Sequence, residues 1–142
     1  MTEFIYLMLE KVGYTHPLHP AVVHMPIAAA IFALLALLYS RSSKNERIAD
    51  TVYHLQVFGL IFTPITMFVG YMDWQQFYGG ASDFHITAKI ILGFVLIVCF
   101  AANVLLGREG VLENKKFLGG TVACFLVAIA IGFLGGELQY GG

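Results

Sequence analysis

The chain has 142 residues, of which 58% are hydrophobic and only 12% are charged, a composition typical of an integral membrane protein and not of a soluble domain. The formal net charge of -1 gives no indication of a nucleic-acid partner. The sequence carries no phosphate-binding glycine loop, hydrolase nucleophile or zinc-protease motif, which disfavours a hydrolase or a transferase.

The first apolar run is short. Residues 1–13 place a run of apolar side chains between acidic and basic ends, and they are too few to cross a bilayer, which needs roughly 20 apolar residues. We therefore predict a short interfacial helix that Gly13 ends. The start is acidic and no small-residue cleavage site follows it, so we expect no signal peptide.

Four longer apolar segments follow, and each is long enough to cross a bilayer. The predicted spans cover about residues 20–39, 49–71, 85–106 and 117–135. The predicted fold class is therefore all-α: an integral membrane four-helix bundle with a short interfacial N-terminal helix. We expect residues 1–142 to form a single membrane domain in contact with membrane lipid.

The basic residues of the loops indicate the topology. Loops 41–47 and 108–116 both carry more basic than acidic residues, and they lie on the same side of a bundle whose spans alternate in direction. The positive-inside rule places that side in the cytoplasm. We therefore expect a multi-pass protein of the bacterial inner membrane, with the first histidines of the chain toward the periplasm.

Histidines are concentrated where the first and third spans begin. His16, His19 and His24 lie at the start of the first span, and His85 opens the third. Ionisable residues inside membrane spans indicate function, and imidazole is suited to a haem iron, a metal ion or a proton. The topology brings both groups to one end of the bundle. We predict His24 and His85 as axial ligands of a b-type haem, with His19 as the substitute if Pro26 turns His24 away.

Small residues on the fourth span fit the same prediction. Gly132 and Gly136 follow Ala128 at intervals of four residues, which would leave a groove for a flat macrocycle along one helix face. Ordinary close packing of membrane helices produces the same pattern. Glu137 and Tyr140 would tune the haem site, and the Glu137 carboxylate could orient a ligating imidazole by accepting a hydrogen bond from its other ring nitrogen.

Three sets of residues also carry a family resemblance. They are His19-Pro20 with Val23-His24 and Pro26, then Asp73-Trp74, and finally Gly135-Gly136-Glu137-Leu138 with Tyr140. In these motifs the chain resembles, from about Thr15 to Tyr140, the bacterial membrane-protein family catalogued as domain of unknown function 2231. The resemblance implies four transmembrane helices and no particular activity. The chain departs from the family pattern in its amphipathic start and in stopping soon after Tyr140.

The predicted function is electron transfer, because a redox cofactor supplies its own chemistry and the protein need only hold and tune it. The haem would pass electrons between a membrane donor such as quinol and an outward-facing carrier such as a c-type cytochrome. His54 lies near the opposite end of the second span. A bilayer core of roughly 30 Å keeps it out of that site.

Two alternatives use the same residues differently. His16, His19 and His24, with Met25 or Asp73, could bind copper or zinc. The chain could also be an accessory subunit of a larger membrane complex that holds no cofactor. For Asp73 itself we prefer the interpretation as a solvated end of the second span.

Overall fold

The fold is all-helical throughout the residues that the structure describes. This computed structural model gives the backbone of residues 2–81 and 84–140 and the side chains of residues 3–81 and 84–136. The helices are α1 (Thr2–Lys11), α2 (His19–Ser43), α3 (Glu46–Phe77), α4 (Phe84–Gly107) and α5 (Lys115–Tyr140). Helices α2 to α5 each contain a stretch long and apolar enough to cross a membrane. The predicted all-α membrane bundle is confirmed.

Helix α1 ends at the glycine that the sequence indicated. Gly13 has a φ of +83°, and its N–H donates to the Glu10 carbonyl oxygen at 2.9 Å while the Tyr14 N–H donates to that of Leu9 at 3.0 Å. This pair of bonds is the Schellman arrangement, which requires a left-handed residue and therefore favours glycine. Among the described helices, α1 contacts α3 alone, and it buries Tyr6 there.

Asparagine side chains begin two of the membrane helices. The Asn45 side-chain oxygen accepts the N–H groups of Arg47 and Ile48 at 3.1 and 3.3 Å, in the first turn of α3. Asn114 does the same for the N–H of Lys116 at 3.0 Å, in α5. These bonds satisfy N–H groups that have no partner within the helix.

The four long helices form a ring. Helix α2 packs against α3 and α5, and α4 packs against the same two helices, so α2 and α4 are diagonal and their backbones do not approach each other closely in the described structure. Each helix turns one stripe of residues inward at alternating spacings of three and four, as its period of 3.6 residues requires. The stripes include Pro26, Ala30, Ala33 and Leu37 of α2; Val52, Gly59 and Thr66 of α3; Gly93, Leu96 and Phe100 of α4; and Phe117, Cys124 and Ala128 of α5.

A buried hydrogen-bond network joins three helices in the half of the bundle that contains the α2–α3 and α4–α5 loops. The side-chain amides of Gln56 and Asn103 donate to the Thr121 hydroxyl oxygen at 3.2 and 2.9 Å, and that hydroxyl donates to the Phe117 carbonyl oxygen at 2.9 Å. These side chains are fully buried. Polar residues between membrane helices hold them together by such bonds.

Candidate functional site

The inward stripes of the four long helices continue to the end of the bundle where α1 lies. There the stripe of α2 reaches His19, that of α3 reaches Asp73, that of α4 reaches Lys89 and that of α5 reaches Gly135. All four residues line one cavity of about 450 Å³. The volume is within the range of small-molecule sites in proteins.

The imidazole of His19 is fixed through one of its nitrogens. Its Nδ1 lies 3.2 Å from the Thr66 carbonyl oxygen, which can only accept, so Nδ1 carries the hydrogen and Nε2 is left as an acceptor. The ring packs on Gly70, where an added Cβ would come within 2.8 Å of Nδ1. The Thr66 hydroxyl also lies 3.4 Å from the Val22 carbonyl oxygen, which Pro26 deprives of its helical donor. These contacts join α2 to α3 beside the imidazole.

Asp73 is a buried anchor, so its interpretation as a solvated helix end was wrong. Its side chain is 4% exposed, because α3 continues past it to Phe77. The carboxylate accepts hydrogen bonds from the Tyr6 hydroxyl and from the N–H groups of Leu18 and His19, at 3.1 and 2.7 Å. The two N–H groups open α2, where no helical carbonyl precedes them and the helix dipole favours a negative charge. Asp73 therefore fixes the backbone that carries His19.

Lys89 is a residue that the sequence predictions missed. It is half-buried on α4 and lines the cavity, with its ammonium nitrogen 3.7 Å from where a Cβ on Gly135 would lie. Among the described residues it has no ion-pair partner. The signal was a lone lysine near the start of a mostly apolar helix, four residues before the buried Gly93. An ionisable residue at such a position indicates function.

Aromatic side chains form the walls of the cavity and part of its rim. Phe68 of α3 and Phe94 of α4 line it and are also 51% and 60% exposed, so the cavity reaches the outer, apolar face of the bundle. Trp74 also lines the cavity, and its indole N–H donates to the Ala81 carbonyl oxygen at 2.8 Å. A molecule dissolved in the bilayer could therefore enter between α3 and α4.

The Tyr6 phenol at this end of the bundle has a raised pKa, which a titration can measure. Burial, followed by the hydrogen bond to Asp73 and the charge of its carboxylate, raises the pKa of Tyr6 well above its ordinary value of about 10. Because the pKa is higher in the folded state, the contribution of this phenol to stability is complete below about pH 10. That contribution is lost only as the pH rises through the folded-state value.

An alkaline titration of phenolate absorbance checks this property. At about pH 11, we expect Tyr6→Phe and the wild-type protein to give the same absorbance per molecule, because the Tyr6 phenol is still protonated. In Asp73→Ala the same phenol should ionise at lower pH. A clearly lower absorbance of Tyr6→Phe at that pH would contradict the buried contact.

The structure does not bring the predicted axial ligands together. His24 is exposed and lines a separate groove with Phe32 and Phe58, between α2 and α3. His85 is half-buried on α4, the helix diagonal to α2. The reason is helical register. His24 precedes the buried Pro26 by two residues, which places its side chain about 200° around the helix axis from that of Pro26, on the opposite face of α2. His19, the predicted substitute, is the histidine that α2 turns toward the cavity.

The other predicted histidines also lie apart from the cavity. His16 is exposed, and the exposed His54 has its Nδ1 2.7 Å from the Asp50 carbonyl oxygen. In the described part of the chain, no three His, Cys, Asp or Glu side chains are grouped so that they could hold a metal ion. Glu137 and Tyr140 lie outside the residues whose side chains the structure describes.

The predicted glycine groove on α5 is displaced by one residue. A Cβ on Gly132 would contact Ile27 at 3.7 Å, and one on Gly136 would have no neighbour within 4 Å, whereas Gly135 lines the cavity. Spacings of four residues drift by about 40° per step around a helix of 3.6 residues per turn. The inward stripe therefore runs from Ala128 to Gly135.

Comparison with known proteins supports the membrane architecture without naming an activity. No curated protein and no solved structure matches the chain. The model of a family described as a predicted membrane protein, DUF2231, matches residues 15–142. That match covers nearly the whole chain, includes all four long helices and agrees with the resemblance of the terminal motifs. The chain therefore belongs to the DUF2231 family of predicted membrane proteins.

Proposed function

We propose that the cavity binds the ring of a membrane quinol and that the protein takes part in passing its electrons to a one-electron carrier. The observation that carries this proposal is the combination of an apolar, aromatic cavity that reaches the lipid-facing surface at Phe68 and Phe94 with polar groups from His19 and Lys89. A quinol is lipid-soluble, has a flat ring and presents two oxygens. Cavities that are mostly apolar with a few fixed polar groups are typical ligand sites.

His19 is suited to accept the proton that quinol oxidation releases. Since its Nδ1–H is held by the Thr66 carbonyl, Nε2 is the acceptor that a quinol hydroxyl could reach, which is the arrangement of a general base. Oxidation of one quinol to a quinone gives up two protons and two electrons. The first proton passes to Nε2, and the second leaves to water at the membrane surface. Asp73 acts as a positioning residue, because it binds the backbone of His19.

With a one-electron carrier as the acceptor, the two electrons of the quinol leave one at a time through a semiquinone. The basic loops of the chain favour the cytoplasm for the opposite end of the bundle, and the cavity then opens near the periplasmic surface of the bacterial inner membrane. A c-type cytochrome on that side is the class of acceptor that fits the predicted topology.

The single tryptophan of the chain tests this function directly. Trp74 lines the cavity, so a short-chain ubiquinol analogue, kept reduced under anaerobic conditions, should quench its fluorescence when it binds there in detergent-purified protein. We expect His19→Ala to weaken the fitted affinity by about two- to tenfold, the range for one neutral hydrogen bond. We expect the matched variant His24→Ala, which changes an exposed histidine of the same helix, to leave the affinity unchanged. Equal affinities for wild-type and His19→Ala protein would contradict the role of His19, and no saturable quenching would contradict the function.

A haem held by His19 is the second candidate function. The predicted His24 and His85 pair does not fit a haem in this cavity, since His24 is exposed and lines a separate groove between α2 and α3. His19 does fit as a single ligand, because a carbonyl bond on Nδ1 leaves Nε2 for a metal. A bound haem would supply one-electron chemistry. The test is a reduced-minus-oxidised visible spectrum, in which a haem signal must disappear in His19→Ala and persist in His24→Ala.

A further inference from the structure

The Lys89 ammonium is the least explained group in the cavity. It lies on the inward stripe of α4 against Gly135, and in the described structure it forms no ion pair. The Asp73 carboxylate lines the same cavity, but both of its oxygens already accept hydrogen bonds from Tyr6, Leu18 and His19. The nearby positive charge is therefore available to a ligand.

We propose that Lys89 makes the cavity selective for an anionic ring oxygen, so that the bound quinol is held as its monoanion. This inference rests on the proposed function and names the form of the ligand that the site prefers. An ammonium group among apolar side chains is unfavourable unless it is paired. A phenolate-type oxygen would pair with it by a charge-assisted hydrogen bond, which is about twice as strong as a neutral one.

His19 and Lys89 then have separate roles in the oxidation of the quinol. The quinol loses one proton to His19 Nε2, and its remaining oxygen anion is stabilised by Lys89. The first electron leaves to the one-electron carrier and gives the neutral semiquinone, which loses the second proton to water. The second electron leaves the semiquinone anion and gives the quinone. An anionic quinol gives up an electron more readily than a neutral one, so pairing with Lys89 prepares the ligand for oxidation.

Two naphthoquinones of similar size separate the effect of charge from that of shape. Lawsone carries a hydroxyl group that is ionised at neutral pH, whereas menadione carries a methyl group and is neutral. Both can be titrated into the detergent-purified full chain with Trp74 fluorescence as the signal. We expect wild-type protein to bind lawsone about tenfold or more tightly than menadione, as one charge-assisted hydrogen bond predicts.

Variants of Lys89 assign the preference. Lys89→Met should bind menadione as the wild-type protein does and lose the preference for lawsone, which also shows that the variant is folded. Lys89→Arg keeps the charge and should keep the preference. If Lys89→Met retains the tight binding of lawsone while menadione still binds, the inference is overturned and the proposed function stands. If neither naphthoquinone binds the wild-type protein, both are overturned.

Discussion

Asp73→Ala should lower the free energy of unfolding by about 3 kcal/mol or more, because it removes a buried carboxylate that accepts three hydrogen bonds at once. The Tyr6 hydroxyl and the N–H groups of Leu18 and His19 all lose their partner. Helix α1 packs against no helix other than α3 in the described structure, so this variant should also release it. Unfolding in mixed micelles of increasing denaturing-detergent content measures the first effect, and the rate of tryptic cleavage after the exposed Lys11 measures the second.

Asp50→Ala is the matched control for this experiment. Asp50 is an exposed aspartate on the same helix, so its removal should change the free energy of unfolding by less than about 0.5 kcal/mol and leave the cleavage rate unaltered. The account of α1 would be contradicted if Asp73→Ala matched Asp50→Ala in both measurements. A loss of stability without faster cleavage would mean that other contacts hold α1 in place.

Gly120→Ala should be comparably destabilising at the other end of the bundle. A Cβ at this position would clash with the Asn103 side-chain oxygen, which is buried and has no hydrogen-bond partner among the described residues. Either α4 and α5 separate, or Asn103 rotates and loses its bond to Thr121. Overpacking and a broken buried bond together should cost about 3 kcal/mol, measured by the same unfolding assay.

The neighbouring glycine and a double variant make this result specific. Gly119 is exposed, and a Cβ there would meet nothing within 4 Å, so Gly119→Ala should be neutral or stabilising by up to about 1 kcal/mol through helix propensity. Asn103→Ala removes the clashing side chain. The double variant Asn103→Ala with Gly120→Ala should therefore lose less stability than the sum of the two single variants. Strict additivity would contradict this packing.

Most of the fold follows from local signals that the sequence contains. The apolar lengths predict four membrane helices, and Gly13 ends α1 at the expected place. The end of α3 was misplaced because Asp73 was taken as a solvated helix end. Its acceptor role depends on Tyr6 and Leu18, which lie far from it along the chain. No window of neighbouring residues contains that information.

The candidate site was predictable only in part, for a reason of register. The topology correctly brought histidines to one end of the bundle, but His19 and not His24 is in register with Pro26 and the alanines of the α2 stripe. In the same way, Lys89 precedes the buried Gly93 by four residues, about one helical turn, and therefore lies on the same face of α4. A stricter use of the helical period could have found both residues. How their side chains combine around one cavity depends on helix packing, which the sequence does not display.

Photoaffinity labelling of native membranes with an azidoquinone, followed by peptide mapping, tests the central claim most directly. The cavity predicts that the label is attached to residues 67–78, at the end of α3, and to residues 86–94 of α4, which line it, and that an excess of unlabelled quinone prevents the attachment. Labelling spread over lipid-facing residues, or concentrated at the groove beside His24 and insensitive to competition, would contradict a quinol site at His19 and Lys89.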